Sequence, residues 1–261
     1  MSSSPTQNQG QSAQAPASEA TSGAGAPPMT SGTAMIANAE PLAARHPATF
    51  ADPEDQKRAE ADNVRILALR GYKTTATGTQ LWQLACRAEG GSVLDSSPSS
   101  RWGRRRDFGF DIEEDNADIS GNVDVVFEPF YFFFYGSLQD PGQICRVCGL
   151  DSSELPPSVL QPATIRGWRV KMWGPFPALV PADADAEVRG VVWKCEAAAH
   201  VSRLCFYETD NYRLEFVDIK KDDGEVIKDG RTFVHAGDPE DLEEGSFDLV
   251  QWRDGRSLSL F

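Results

Sequence analysis

The stretch "FYFFFYGSLQDPG", residues 130–142, decides the fold. An unbroken aromatic run from Phe130 to Tyr135 stops at two small residues, Gly136 and Ser137. A near-continuous apolar run lacks the alternation of a half-exposed strand, so it reads as a strand buried on both faces. Small residues directly behind such a strand let successive backbone N–H groups converge without Cβ obstruction. The resulting concavity suits a carboxylate or a developing oxyanion. Tyr135, Gly136, Ser137 and Leu138 are therefore the candidate binding loop, although a Gly-Ser turn taken alone is more often only a turn.

Working outward, the pattern of a compact domain begins near residue 123 and runs to about 237. "DPGQICRVCGL" reads as a short helix, "ATIRGWRVKMW" as one strand, "ALVPA" as an extended piece and "AEVRGVVWKC" as a strand. "AAAHVSRLCFYE" reads as a helix, and "RLEFVDIKKDDGEVIKDGRTFVHA" as a hairpin turning near Asp222-Asp223-Gly224. Strands outnumber helices and their order is mixed, so the expected class is α+β. Residues 238–261 form a C-terminal extension with a short helix.

Upstream, residues 1–51 are rich in Ser, Ala, Gln, Gly, Thr and Pro, with too little apolar surface to offset the entropy of ordering, and read as a disordered tail. Residues 52–91 form a helical segment. Asp52-Pro53 supplies an N-cap and first-turn proline, Gly71 a stop, and "TQLWQLACRAEGG" a second short helix. Residues 92–122 form a linker whose arginines, Arg101, Arg104, Arg105 and Arg106, precede a run of acids. A solvated, self-neutralising linker is preferred there to a localisation or nucleic-acid patch.

Lys and Arg total 25 against 39 Asp and Glu, a formal net charge of -14. That balance disfavours nucleic acid and anionic membrane surfaces as partners. An odd set of five cysteines, with no basic residue before Arg45 to start a signal or transit peptide, points to thiols in a reducing, cytoplasmic setting. No run approaches the about 20 apolar residues that a membrane-spanning helix needs. Cys145-x-x-Cys148 has no second half, and His200 and His235 fall on other elements, so packing thiols are preferred to a zinc site. The three histidines show no spacing that pairs them with a nucleophile, and no Gly-rich phosphate loop is present. Neither metal nor cofactor is expected. Trp168, Trp173 and Trp193 read as core or pocket wall.

"FYGSLQDP", "FPALVP" (176–181), "VRGVVW" (188–193) and "LCFYETDNY" (204–212) together resemble, in order and spacing, the gamma-glutamylcyclotransferase-like superfamily, which includes the plant avirulence-induced proteins. The resemblance covers residues 128–235. It implies a small mixed β-barrel flanked by helices, the Tyr135–Leu138 loop at the barrel mouth, and an essential acid, Glu208, facing it. Glu208 follows Leu204, Cys205, Phe206 and Tyr207, an apolar helix end that would raise a carboxyl pKa towards neutrality. Periodicity alone favours an exposed helix-terminal Glu; the resemblance favours the acid. Tyr212 is placed as pocket wall or hydrogen-bond donor, with core packing as its alternative.

The implied reaction is intramolecular aminolysis of a γ-glutamyl group, closing 5-oxoproline and releasing an amine or amino acid. The implied partner is thus a small γ-glutamyl compound. Three departures stand out: Thr209 where the family commonly has Gly, Cys205 where Asp is common, and Leu214 near a position often held by Arg. They keep a second function class open, a non-catalytic small-molecule-binding or regulatory module on the same fold.

Overall fold

The computed structural model describes residues 42–89, 123–151, 153, 155 and 157–258. Most of the sequence-defined tail, and the linker with Arg101, Arg104, Arg105 and Arg106, lie outside the described residues.

The aromatic run forms β3 (Phe130–Phe134), which lies in a closed barrel with β4 (Gln161–Arg166), β7 (Glu187–Cys195), β8 (Tyr212–Lys221) and β9 (Val226–His235). Around the barrel the order is β3-β7-β4-β8-β9. β3 runs antiparallel to β7 with Phe132 opposite Trp193, and parallel to β9 with Phe132 opposite Arg231. The fold is α+β, as its composition of elements demands.

Alternation explains the continuous aromatics. Phe133 and Tyr135 point into the barrel with Ile165, Leu179, Val192 and Ile219. Phe132 and Phe134 point outward, with Trp193, Phe233, Ile144 and Leu204. Phe132 stacks on Phe134 and Phe233 at 5.4 and 5.6 Å between ring centres. Two helices cover this outer face, α3 (Pro141–Cys148) and α4 (Ala198–Glu208). α3 starts as its sequence dictates, with Asp140 accepting from Gln143 N at 2.9 Å and Pro141 in the first turn.

One expected strand is two. "ATIRGWRVKMW" breaks at Gly167, whose φ of +78° turns the chain out of the barrel. Beyond it β5 (Trp168–Trp173) pairs antiparallel with β6 (Phe176–Pro181) in a separate hairpin. That hairpin overhangs the end of β3.

The helical segment comprises α1 (Pro53–Leu69) and α2 (Gly78–Ala88), joined by a short strand β1 (Tyr72–Thr74) that pairs with β2 (Val125–Phe127). Their shared core contains Ile66, Leu67, Tyr72, Leu81, Leu84 and Ala85. The tail boundary moves toward the N-terminus, because residues 42–50 pack on this unit. Fully buried Asn63 accepts from Arg45 N at 3.0 Å and donates to Arg45 O at 2.8 Å. His46 sits edge-on to Trp82 at 4.6 Å. The C-terminal extension also joins the domain: Glu243 and Met172 exchange backbone hydrogen bonds at 2.9 Å, and Leu242 is buried. Its helix α5 (Leu249–Leu258) places Arg253 in an ion pair with Asp140.

Candidate active site

A cavity of about 400 Å³ opens where the end of β3, the β5–β6 hairpin and the C-terminus of α4 converge. It is lined by all six residues that the sequence singled out: Tyr135, Gly136, Ser137, Leu138, Glu208 and Tyr212. A larger hollow of about 640 Å³ lies beside the same loop, against residues 245–250; it includes Tyr135 and Gln139 but not Glu208.

The loop is built by close approach. A Cβ on Gly136 would stand 2.8 Å from Cγ of Pro177, a contact that only glycine avoids. Ser137 begins a 3-10 turn (Ser137–Gln139), and the first N–H groups of such a turn have no partner within it. The Gln139 side chain donates to the Tyr135 and Gly136 carbonyls at 2.8 and 3.3 Å, which engages the carbonyl side of the loop. The two larger loop side chains serve the barrel. Tyr135 Oη donates to Phe233 O at 2.9 Å and accepts from Leu179 N at 3.2 Å, and Leu138 is buried in the outer core. What the loop offers the cavity is therefore backbone.

Glu208 ends α4 beside Tyr207 and is half-buried on the cavity wall. Burial pushes its carboxyl up to about 8, from an ordinary value of 4.5. The same burial, together with the charge of Glu208, raises the phenols of Tyr135 and Tyr212. Tyr212 Oη donates to Pro177 O at 3.1 Å, so this residue is a wall that ties β8 to β6.

Three neighbours were not assigned to the site from sequence. Tyr207 Oη lies 2.9 Å from Ser137 Oγ, linking the helix that carries Glu208 to the loop. The pairing spans 70 residues of chain, so no local pattern announces it. Trp173 and Phe176 close the mouth with ring centres 6.1 Å apart; Phe176 belongs to the "FPALVP" motif, which was the available signal. His235 packs behind the wall, its ring 6.0 Å from both Trp173 and Tyr212, and burial lowers its pKa.

The departures fall unequally. Cys205 and Leu214 pack in the outer core and do not line the cavity. Thr209 does line it, and adopts φ 62° and ψ -173°, a region that favours glycine. Its hydroxyl accepts from Asn211 Nδ2 at 3.0 Å, a local hydrogen bond that glycine could not make. Cys148 and Cys195 are buried, and burial pushes both thiols up to about 12, which makes them packing groups at neutral pH.

Residues 132–254 match the family model of gamma-glutamyl cyclotransferase, AIG2-like proteins. The chain thus contains a domain of the gamma-glutamylcyclotransferase-like superfamily. Two solution structures of Arabidopsis thaliana proteins are each 22% identical to it; both cover 51% of this chain, with 78% and 87% of their own and TM-scores of 0.38 and 0.36. A structure named gamma-glutamyl cyclotransferase is 19% identical, covering 41% of this chain and 67% of its own, with a TM-score of 0.33. None of the curated proteins matches the chain. Among the described residues no helix is long and apolar enough to cross a membrane.

Proposed function

We propose that this protein is a γ-glutamyl cyclotransferase-type enzyme. The observation that carries the reading is the meeting, on one cavity, of a carboxyl raised to about 8 with a glycine-opened backbone loop. Ring closure needs a flexible side chain bent into an attacking conformer, a base for an ammonium proton and a cradle for an oxyanion. In this reading the loop of Gly136, Ser137 and Leu138 holds the anionic oxygens of the substrate through backbone N–H groups. Ionised Glu208 takes a proton from the α-ammonium, and the freed amine attacks the γ-carbonyl carbon. The tetrahedral adduct then collapses: the amide C–N bond breaks, Glu208 returns its proton to the departing nitrogen, and 5-oxoproline and an amine are left. No water or other reactant is consumed. Tyr207, through Ser137, fixes the distance between acid and loop.

The test is 5-oxoproline release from a panel of γ-glutamyl compounds by the full chain and by Glu208→Gln, which keeps shape and removes the base. Wild-type turnover is expected to fall at least about 100-fold in the variant, and the wild-type kcat/KM to rise with pH through about 8. Turnover that survives in the variant would remove Glu208 from the chemistry. Absence of turnover in both would favour the binding module.

A further inference from the structure

The cavity wall also bears on which γ-glutamyl compound fits, an inference that rests on the cyclotransferase reading. Among the described residues that line it, Glu208 is the one carboxylate, and no Lys, Arg or His is present. Cations on the adjoining strands are engaged elsewhere. Lys171 and Arg169 lie 3.1 and 3.3 Å from Glu244, and Arg213 donates to the His235 carbonyl at 3.3 Å. The loop can hold one carboxylate, that of the γ-glutamyl group itself.

A leaving amino acid brings a second carboxylate, on the carbon attached to the departing nitrogen and so beside Glu208, which must reach that nitrogen. Two like charges about 6 Å apart, at an effective dielectric of about 20, weaken binding roughly 100-fold when no cation lies between them. The mouth instead offers apolar surface. Trp173 and Phe176 stand with ring planes 39° apart, and Phe176 is 51% exposed, so an apolar group entering there removes aromatic surface from water.

We propose that the cavity selects γ-glutamyl amides of apolar amines, alkyl or arylalkyl, over γ-glutamyl amino acids and peptides. The amide C–N bond breaks as the ring C–N bond forms, and the ammonium proton leaves on the released amine. The amine carries no carboxylate to be neutralised, and its hydrocarbon part covers Trp173 and Phe176.

Two substrates that differ only in the carboxylate test this: γ-glutamyl-phenethylamine and γ-glutamyl-phenylalanine. The first is expected to have at least a roughly tenfold higher kcat/KM. Trp173→Ala should erode that preference through KM. Phe176→Arg, at an exposed position, supplies a cation at the mouth and should reverse it. Equal rates, a preference for the phenylalanine compound, or an unaltered preference in Phe176→Arg would overturn the selection while leaving the cyclotransferase reading intact. If neither compound releases 5-oxoproline, that reading falls and calorimetric affinities decide the selection. Tighter binding of the phenethylamide would uphold it, and equal affinity would end it.

Discussion

At the scale of single residues, Glu208 carries a stability cost that its environment makes measurable. Its folded carboxyl titrates near 8 against an ordinary 4.5. Above the lower value the unfolded chain gives up this proton while the folded chain keeps it, so stability falls as pH rises and the loss is complete above the higher value. Integrated over the window, the cost has an upper bound of about 5 kcal/mol. Gln at 208 does not titrate. Glu208→Gln should therefore gain stability relative to wild type between pH 4.5 and 8, by several kcal/mol in urea unfolding. A gap between the two proteins that is the same at pH 5 and pH 8.5 would show that the carboxyl is not desolvated. His235 works in the opposite sense, since burial lowers its pKa and the folded state loses stability as pH falls below its ordinary 6.5. It is present in both proteins, so the comparison cancels it.

At the scale of elements, β3 and its loop act as one part, because the strand that anchors the barrel also aims the loop. Gly136→Ala tests that coupling. The new methyl would meet the Pro177 ring at 2.8 Å, and Pro177 in turn accepts the Tyr212 hydroxyl, so neither side yields cheaply. Overpacking of this kind costs about 1–3 kcal/mol. The expected outcome is a modest loss of melting temperature with at least about tenfold loss of 5-oxoproline release, measured on the folded variant. A fully active variant would mean that the loop backbone does not touch the substrate. This element was legible in sequence because everything that defines it is local: aromatics in series, then Gly136-Ser137. The break at Gly167 was not, since β4 and β5 follow one another in an extended pattern and only pairing with distant strands assigns them to different sheets. β1 and β2, with three residues each, carry too little pattern to read, and the Ser137–Tyr207 contact exists only once the barrel has closed.

At the scale of the whole described body, the question is why the helices α1 and α2 belong with the barrel, and Arg231 provides the joint. From β9 its guanidinium lies over Phe130 at 4.2 Å and Phe216 at 4.8 Å, and its Nη2 donates to Ala68 O at 2.7 Å near the end of α1. Arg65 of α1 reciprocates, pairing with Glu215 and lying 5.4 Å over the same Phe216 ring. A planar cation that stacks on two rings and still donates to a carbonyl does what neither Lys nor an apolar residue can. Burial lowers the Arg231 pKa without bringing it near neutrality, so the joint holds its charge throughout the physiological range. Arg231→Met keeps the apolar stem and removes the charge and the donor. It should cost about 1–3 kcal/mol, and the loss should be uneven. Amide exchange in α1 should accelerate about tenfold or more, while β3, β7 and β4, which do not depend on that joint, stay protected and 5-oxoproline release is retained. If exchange accelerates equally in the barrel, Arg231 is part of a single cooperative core; if α1 is unmoved, the packing of Leu69 against Phe130 and its neighbours suffices to dock it.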